Sequence, residues 1–96
     1  MLLVVAYDVE TANPAGAKRL RSVAKLCQKY GVRVQNSVFE IDASAAQLVE
    51  LKGHLQRIID EEQDSIRIYR IGNSWQSKID VLGKKPIIQP GSEIIL

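Results

Sequence analysis

Apolar and polar positions along this chain follow periods that change from segment to segment, and each period implies an element. Residues 2 to 7 (LLVVAY) form an unbroken apolar run with two valines, too short for a typical helix and suited to a central strand buried on both faces. The run stops on a lone carboxylate, Asp8, and a cluster of breakers, TANPAG, follows. From Lys18 to Tyr30 the apolar positions Leu20, Val23, Ala24, Cys27 and Tyr30, with Leu26 on the flank, recur at helical spacing. Gly31 is placed to end that helix in the left-handed conformation. The segment VRVQNSVFEI, 32 to 41, alternates through Val32 and Val34 and then changes phase, so that Phe39 and Ile41 share a face opposite to Val38. A bend near Asn36 and Ser37 accounts for the shift. Ser44, with Gln47 three residues later, forms a capping-box signature ahead of Leu48, Leu51, Leu55, Ile58 and Ile59, a second amphipathic helix. After the acidic turn DEEQD, Ile66 and Ile68 alternate with Arg67 and Tyr69 as in a half-exposed strand.

The order strand, helix, strand pair, helix, strand closes as a four-stranded antiparallel sheet with two helices on one face. The expected class is therefore α+β, a ferredoxin-like βαββαβ sandwich. One domain is expected to span residues 1–96, with its core at about 1–72 and a C-terminal tail at 73–96. Past Gly72 the segments SKIDVLG and IIQPGSEIIL carry apolar pairs for which a small monomer has little core left. The tail is expected to add a strand to the sheet edge of a second copy in a homodimer; the alternative is that it folds back on its own sheet.

Composition narrows the class without naming a function. With 46% hydrophobic and 25% charged residues, neither disorder nor a membrane span is favoured, and no charged leader precedes the first apolar run. The single cysteine, Cys27, has no partner for an internal disulfide and no metal-site spacing around it, which suits a buried helix-face thiol in a reducing cytoplasm. A net charge of +2 conceals a marked asymmetry: from Thr11 to Phe39 there is no acid, while Lys18, Arg19, Arg21, Lys25, Lys29 and Arg33 all fall there. One face should be basic and suited to an anionic partner, most simply nucleic acid.

Asp8 raises the question of chemistry. One carboxylate cannot hold a metal ion alone, but in a two-fold homodimer a residue near the axis meets its own copy. Two Asp8 side chains could then share one hard cation such as magnesium, with manganese as a substitute, the remaining ligands being water and phosphate. The competing reading is that Asp8 caps a turn leading into the first helix. His54, the single histidine, is expected at the surface, and Trp75 either contacts a partner or covers a dimer seam. No Walker-type GxxxxGK, zinc-ligand spacing or GxSxG is present.

The segments AYDV (6–9), KRLRSVAKLCQKYG (18–31), RVQNSVFE (33–40) and DSIRIYRIG (64–72) span most of the chain. In this order they resemble the small CRISPR-associated adaptation protein Cas two, with the form of subtype I-C systems the nearest flavour. The resemblance implies a homodimer with exchanged C-terminal strands and a magnesium ion between paired Asp8 side chains. It also implies metal-dependent endonuclease activity on single-stranded RNA or double-stranded DNA, and a bridging role with the CRISPR integrase in spacer acquisition. Carried over position by position, Tyr7 and Asp8 match the strand-end catalytic pair. Arg19 and Arg21, with Lys18 beside them, match the basic start of helix one, and Arg33 and Phe39 match the second strand region, all expected to meet nucleic acid. The arginines suit phosphate because a guanidinium engages two oxygens at once. Three other readings stand beside this one: a VapD-like toxin ribonuclease, a structural DNA-binding adaptor without catalysis, and a metabolite-sensing ferredoxin-like domain.

Overall fold

The computed structural model describes residues 1–83. β1 (Leu2–Asp8), α1 (Pro14–Cys27), β2 (Gly31–Gln35), β3 (Val38–Asp42), α2 (Ala45–Ile58) and β4 (Ser65–Gly72) follow one another, then a short 3-10 turn at Trp75–Ser77. The sheet order is β2-β3-β1-β4, and every neighbouring pair is antiparallel. This is the ferredoxin-like arrangement, with β1 interior.

Strand alternation decides what β1 buries. Leu3, Val5 and Tyr7 point to one face and join Phe39 and Ile41 of β3 beneath Leu20, Val23, Ala24 and Cys27 of α1 and Leu48, Leu51 and Leu55 of α2. All of these are nearly inaccessible to solvent, so the apolar stripes of both helices close over a single side of the sheet. On the other side Leu2 is buried, Val4 and Ala6 are half-buried and Asp8 is exposed. The expectation of a strand buried on both faces is therefore corrected to partial burial of the second face, which no helix among the described residues covers. Cys27 lies fully within the core, where burial pushes its thiol pKa up to about 12.

Helix one begins earlier than its apolar spacing indicates. Asn13 is the N-cap, its side chain accepting from the Ala15 backbone N–H at 2.9 Å, and Pro14 occupies the first turn. Part of the TANPAG breaker is thus the start signal of a helix. The helix ends at Cys27 through Gln28 in the right-handed region, and Gly31 opens β2 with no positive φ, which corrects its expected role as a left-handed cap. Close approach explains the glycine instead: a Cβ there would lie 2.1 Å from the Glu40 carbonyl oxygen. The bend at Asn36 and Ser37 is the turn of the β2–β3 hairpin, and Ser44 with Gln47 forms the reciprocal capping box of α2.

Downstream of Gly72, the part of SKIDVLG beyond Ser77 forms no strand; Ile79, Asp80, Val81 and Leu82 instead line a shallow concavity with Val34, Gln35 and Glu40 on the helix-free face. Burial there raises the Glu40 carboxyl pKa. The expected strand exchange by IIQPGSEIIL, 87–96, lies outside the described residues.

Candidate nucleic-acid interface and catalytic carboxylate

Antiparallel pairing sets Tyr7 and Asp8 on opposite sides of the sheet, although they are sequence neighbours. Tyr7 is 3% exposed, and its hydroxyl donates to the Asp64 carboxylate beneath the helices. Burial, then the hydrogen bond to Asp64, pushes the phenol pKa up to about 12. Tyr7 is therefore a core residue facing away from Asp8, and the two do not form a joint catalytic pair in this chain.

Asp64 is the single buried charged residue among the described ones. It takes Nε and Nη2 of Arg19 at 2.8 and 3.0 Å, a bidentate ion pair, and also accepts from the Asp60 backbone N–H at 3.0 Å. The Arg19 guanidinium, assisted by the other donors, holds the Asp64 pKa down at about 2, while Asp64 raises that of Arg19. Arg19 thus ties α1 to the start of β4 and has its guanidinium fork occupied, which takes it out of the free phosphate-binding set. Sequence reasoning missed Asp64 because it sat within the acidic run DEEQD, whose other acids are surface groups. One signal was available: Arg19 has no acid within a turn on its own helix.

The remaining basic residues converge elsewhere. Arg21, Lys25 and Lys29 follow one another at four-residue spacing along α1 and just past its end, and Arg33 of β2 closes the row. With Ala24 and Gln28 they line a concavity of about 470 Å³ that contains no carboxylate. Arg33 is braced through Nε on the Asn36 carbonyl (2.7 Å) and Nη2 on the Asn36 side chain (3.0 Å), 5.9 Å from the Phe39 ring centroid. Phe39 itself is fully buried, so its expected stacking on a base is corrected to a core role in which it supports Arg33. Lys18 is exposed on α1 outside this lining; Lys25 and Lys29 are the additions that the resemblance did not single out. Four residues of helix advance about 6 Å, so Arg21 and Lys25 on α1 are spaced to meet successive phosphates of one strand. Arg21→Ala with Lys25→Ala is expected to reduce the salt slope of nucleic-acid binding by about 2, measured as log affinity against log salt. An unchanged slope would count against this placement.

Asp8 stands exposed at the end of β1, opposite Ser65 of β4. Helix capping falls to Asn13, and Glu10 turns back on the Ala12 N–H at 2.9 Å, so the capping role for Asp8 is excluded. Its carboxylate takes part in neither ion pair found among the described residues. Ala6, Tyr7, Asp8, Ser37, Val38, Ser65 and Arg67 line a concavity of about 340 Å³ there. Carboxylate and hydroxyl oxygens are the hard donors that magnesium takes, so the residue types fit the ion. Among the described residues no group of three or more His, Cys, Asp and Glu could hold a metal, so one copy offers an incomplete ligand set. His54 is exposed on α2, its ring nitrogen 3.4 Å from Arg57.

Comparison with known proteins gives concordant results. The family described as CRISPR associated protein Cas2 matches residues 1–79. A CRISPR-associated endonuclease Cas2 of Halalkalibacterium halodurans is 54% identical over 88 residues, 92% of each chain. A CRISPR-associated endoribonuclease Cas2 of Rhodospirillum rubrum is 48% identical, over 99% of this chain and 100% of its own length. The crystal structure of Streptococcus pyogenes Cas2 superposes with a TM-score of 0.81 at 55% identity, covering 86% of this chain and all of that one. Matched over most of its length by the family, by curated relatives and by a solved fold, the chain belongs to the CRISPR associated protein Cas2 family.

Proposed function

We propose that this chain is a metal-dependent endonuclease of CRISPR defence that binds nucleic acid along the α1 groove and cleaves phosphodiester bonds at Asp8. The observation that carries the reading is Asp8 itself: exposed, free of capping or ion-pair duty among the described residues, and set in a concavity beside hydroxyls and an arginine. The names of the relatives, endonuclease and endoribonuclease, support nuclease activity, and the substrate proposed for this chain is single-stranded RNA or double-stranded DNA.

The incomplete ligand set of one copy favours a homodimer in which two Asp8 carboxylates face a common ion. When bound, magnesium would polarise a phosphodiester oxygen or lower the pKa of a coordinated water. The chain's own residues then do three things. Arg21, Lys25, Lys29 and Arg33 neutralise backbone phosphates and fix the strand. Asp8 supplies fixed negative charge, and its neighbours Ser37 and Ser65 offer polar contacts to the sugar-phosphate. Attack by water on phosphorus forms one P–O bond as the water gives a proton to solvent, the bond to the leaving sugar oxygen breaks, and that oxygen takes a proton from solvent. The same groove suits a partnership with the CRISPR integrase, in which the dimer holds captured duplex DNA during spacer acquisition.

Metal removal tests the reading. Labelled single-stranded RNA and duplex DNA are expected to be cleaved with magnesium, spared with EDTA, and cleaved again when manganese is added. Cleavage persisting in EDTA would overturn the metal requirement. The presence of a single candidate carboxylate per copy, with no histidine near it, favours a second outcome of the same assay: binding without cleavage, which would make the chain a structural adaptor.

A further inference from the structure

The pairing of β1 with β4 sets one long cation, Arg67, beside Asp8. Arg67 lies directly across the ladder from Ala6, and Asp8 directly across from Ser65, so Arg67 and Asp8 are diagonal neighbours on the same, helix-free face. Diagonal positions in a sheet are within reach of a long side chain, yet these two do not pair: the ion pairs among the described residues are Met1 with Asp42 and Arg19 with Asp64. Both line the concavity of about 340 Å³, together with Ser37 of the β2–β3 turn and Ser65 of β4. Tyr69, two residues further along the same face, places its phenol beside the guanidinium and raises the Arg67 pKa.

A carboxylate and a guanidinium that share a cleft without closing on each other leave room for a sequence of alternating charges. Carboxylate, divalent cation, phosphate and guanidinium would follow one another, each adjacent pair opposite in sign. We propose that Arg67 is the phosphate-binding residue of the Asp8 site, its guanidinium gripping the non-bridging oxygens of the phosphodiester that is cleaved. The inference rests on the reading of Asp8 as the cleavage site and adds the group that positions the substrate there. A guanidinium suits the task because its planar fork engages two phosphate oxygens together and it remains charged as negative charge builds on them. Arg67 thereby differs in role from the α1 groove, which follows the backbone away from the reacting bond.

Two measurements on the full chain test it. In the first, the Nε–Hε resonance of Arg67, assigned by its loss in Arg67→Lys, is followed by NMR as inorganic phosphate is added with magnesium. A saturable shift is expected, and an unmoved resonance overturns the proposal. In the second, steady-state cleavage by Arg67→Ala is expected to lose about 100-fold in kcat/KM, with Arg67→Lys recovering part of it because charge returns without the fork. Unchanged kinetics in Arg67→Ala, alongside lost cleavage in Asp8→Asn, would overturn Arg67 alone. A shifted Arg67 resonance with cleavage intact in Asp8→Asn would overturn the role of Asp8 and retain the phosphate contact.

Discussion

Asp64→Ala is expected to lower the unfolding free energy by about 3 kcal/mol, the lower end of the range for breaking a buried ion pair, because Arg19 keeps partial access to solvent. The substitution removes the acceptor of the Tyr7 hydroxyl, both Arg19 donors and the Asp60 N–H together, leaving a buried phenol and a guanidinium without a partner. A loss of that size is a large share of the stability of a small domain. Urea denaturation at neutral pH measures it, and a change below about 1 kcal/mol would show the network to be dispensable. The same cluster fixes the pH range of stability. Asp64 titrates near 3.8 when unfolded and about 2 when folded, so its contribution is complete above pH 4 and is lost as pH falls toward 2. Tyr7 is raised from 10.0 to about 12, so its contribution is complete below pH 10 and fades as pH rises toward 12. Asp64→Asn should flatten the acid limb, since an amide does not titrate there.

Periodicity made most of the fold legible because the two helices cover one face and each strand has one buried side. The phase change at Asn36 and Ser37 marked a hairpin, and the Ser44 to Gln47 spacing marked a helix start that folds as a capping box. Asn13 and Pro14 were harder to read: the residues that break a strand pattern are also those that begin a helix, and only the position of the following turns separates the two uses. Gly31 misled for a related reason, since glycine serves close backbone approach as well as left-handed caps.

The candidate site was legible residue by residue but not in its grouping. Tyr7 and Asp8 are adjacent in sequence, yet a strand sends them to opposite faces, and the burial of Tyr7 depends on Asp64, 57 residues away. Arg19 and Arg21 looked equivalent on a basic helix. A two-residue step on a helix turns about 200 degrees, so one reaches back to Asp64 while the other lines the groove with Lys25 and Lys29. Long-range pairing of this kind leaves no local mark. Phe39 illustrates the converse: its alternation with Val38 already placed it on the apolar face.

Asp8→Asn is expected to lower metal-dependent cleavage by about 100-fold or more, because the amide no longer offers the anionic oxygens that would hold the cation against the reacting phosphate, while leaving the fold intact. The exchange is nearly isosteric, and Asp8 is exposed at the strand end and outside the ion pairs found among the described residues. Charge is therefore the property altered. Nucleic-acid affinity should persist, because the α1 groove is built from other residues. If Asp8 from two copies shares one ion, the substitution removes both carboxylates at once, which is why its effect should exceed that of any single groove residue.

The most direct measurement is therefore cleavage of labelled single-stranded RNA and duplex DNA with magnesium by the wild-type chain and Asp8→Asn, with binding followed in parallel. Cleavage by the wild type that is lost in the variant at unchanged affinity is the result this account predicts. Equal cleavage by the two proteins would contradict it and move the chemistry away from Asp8.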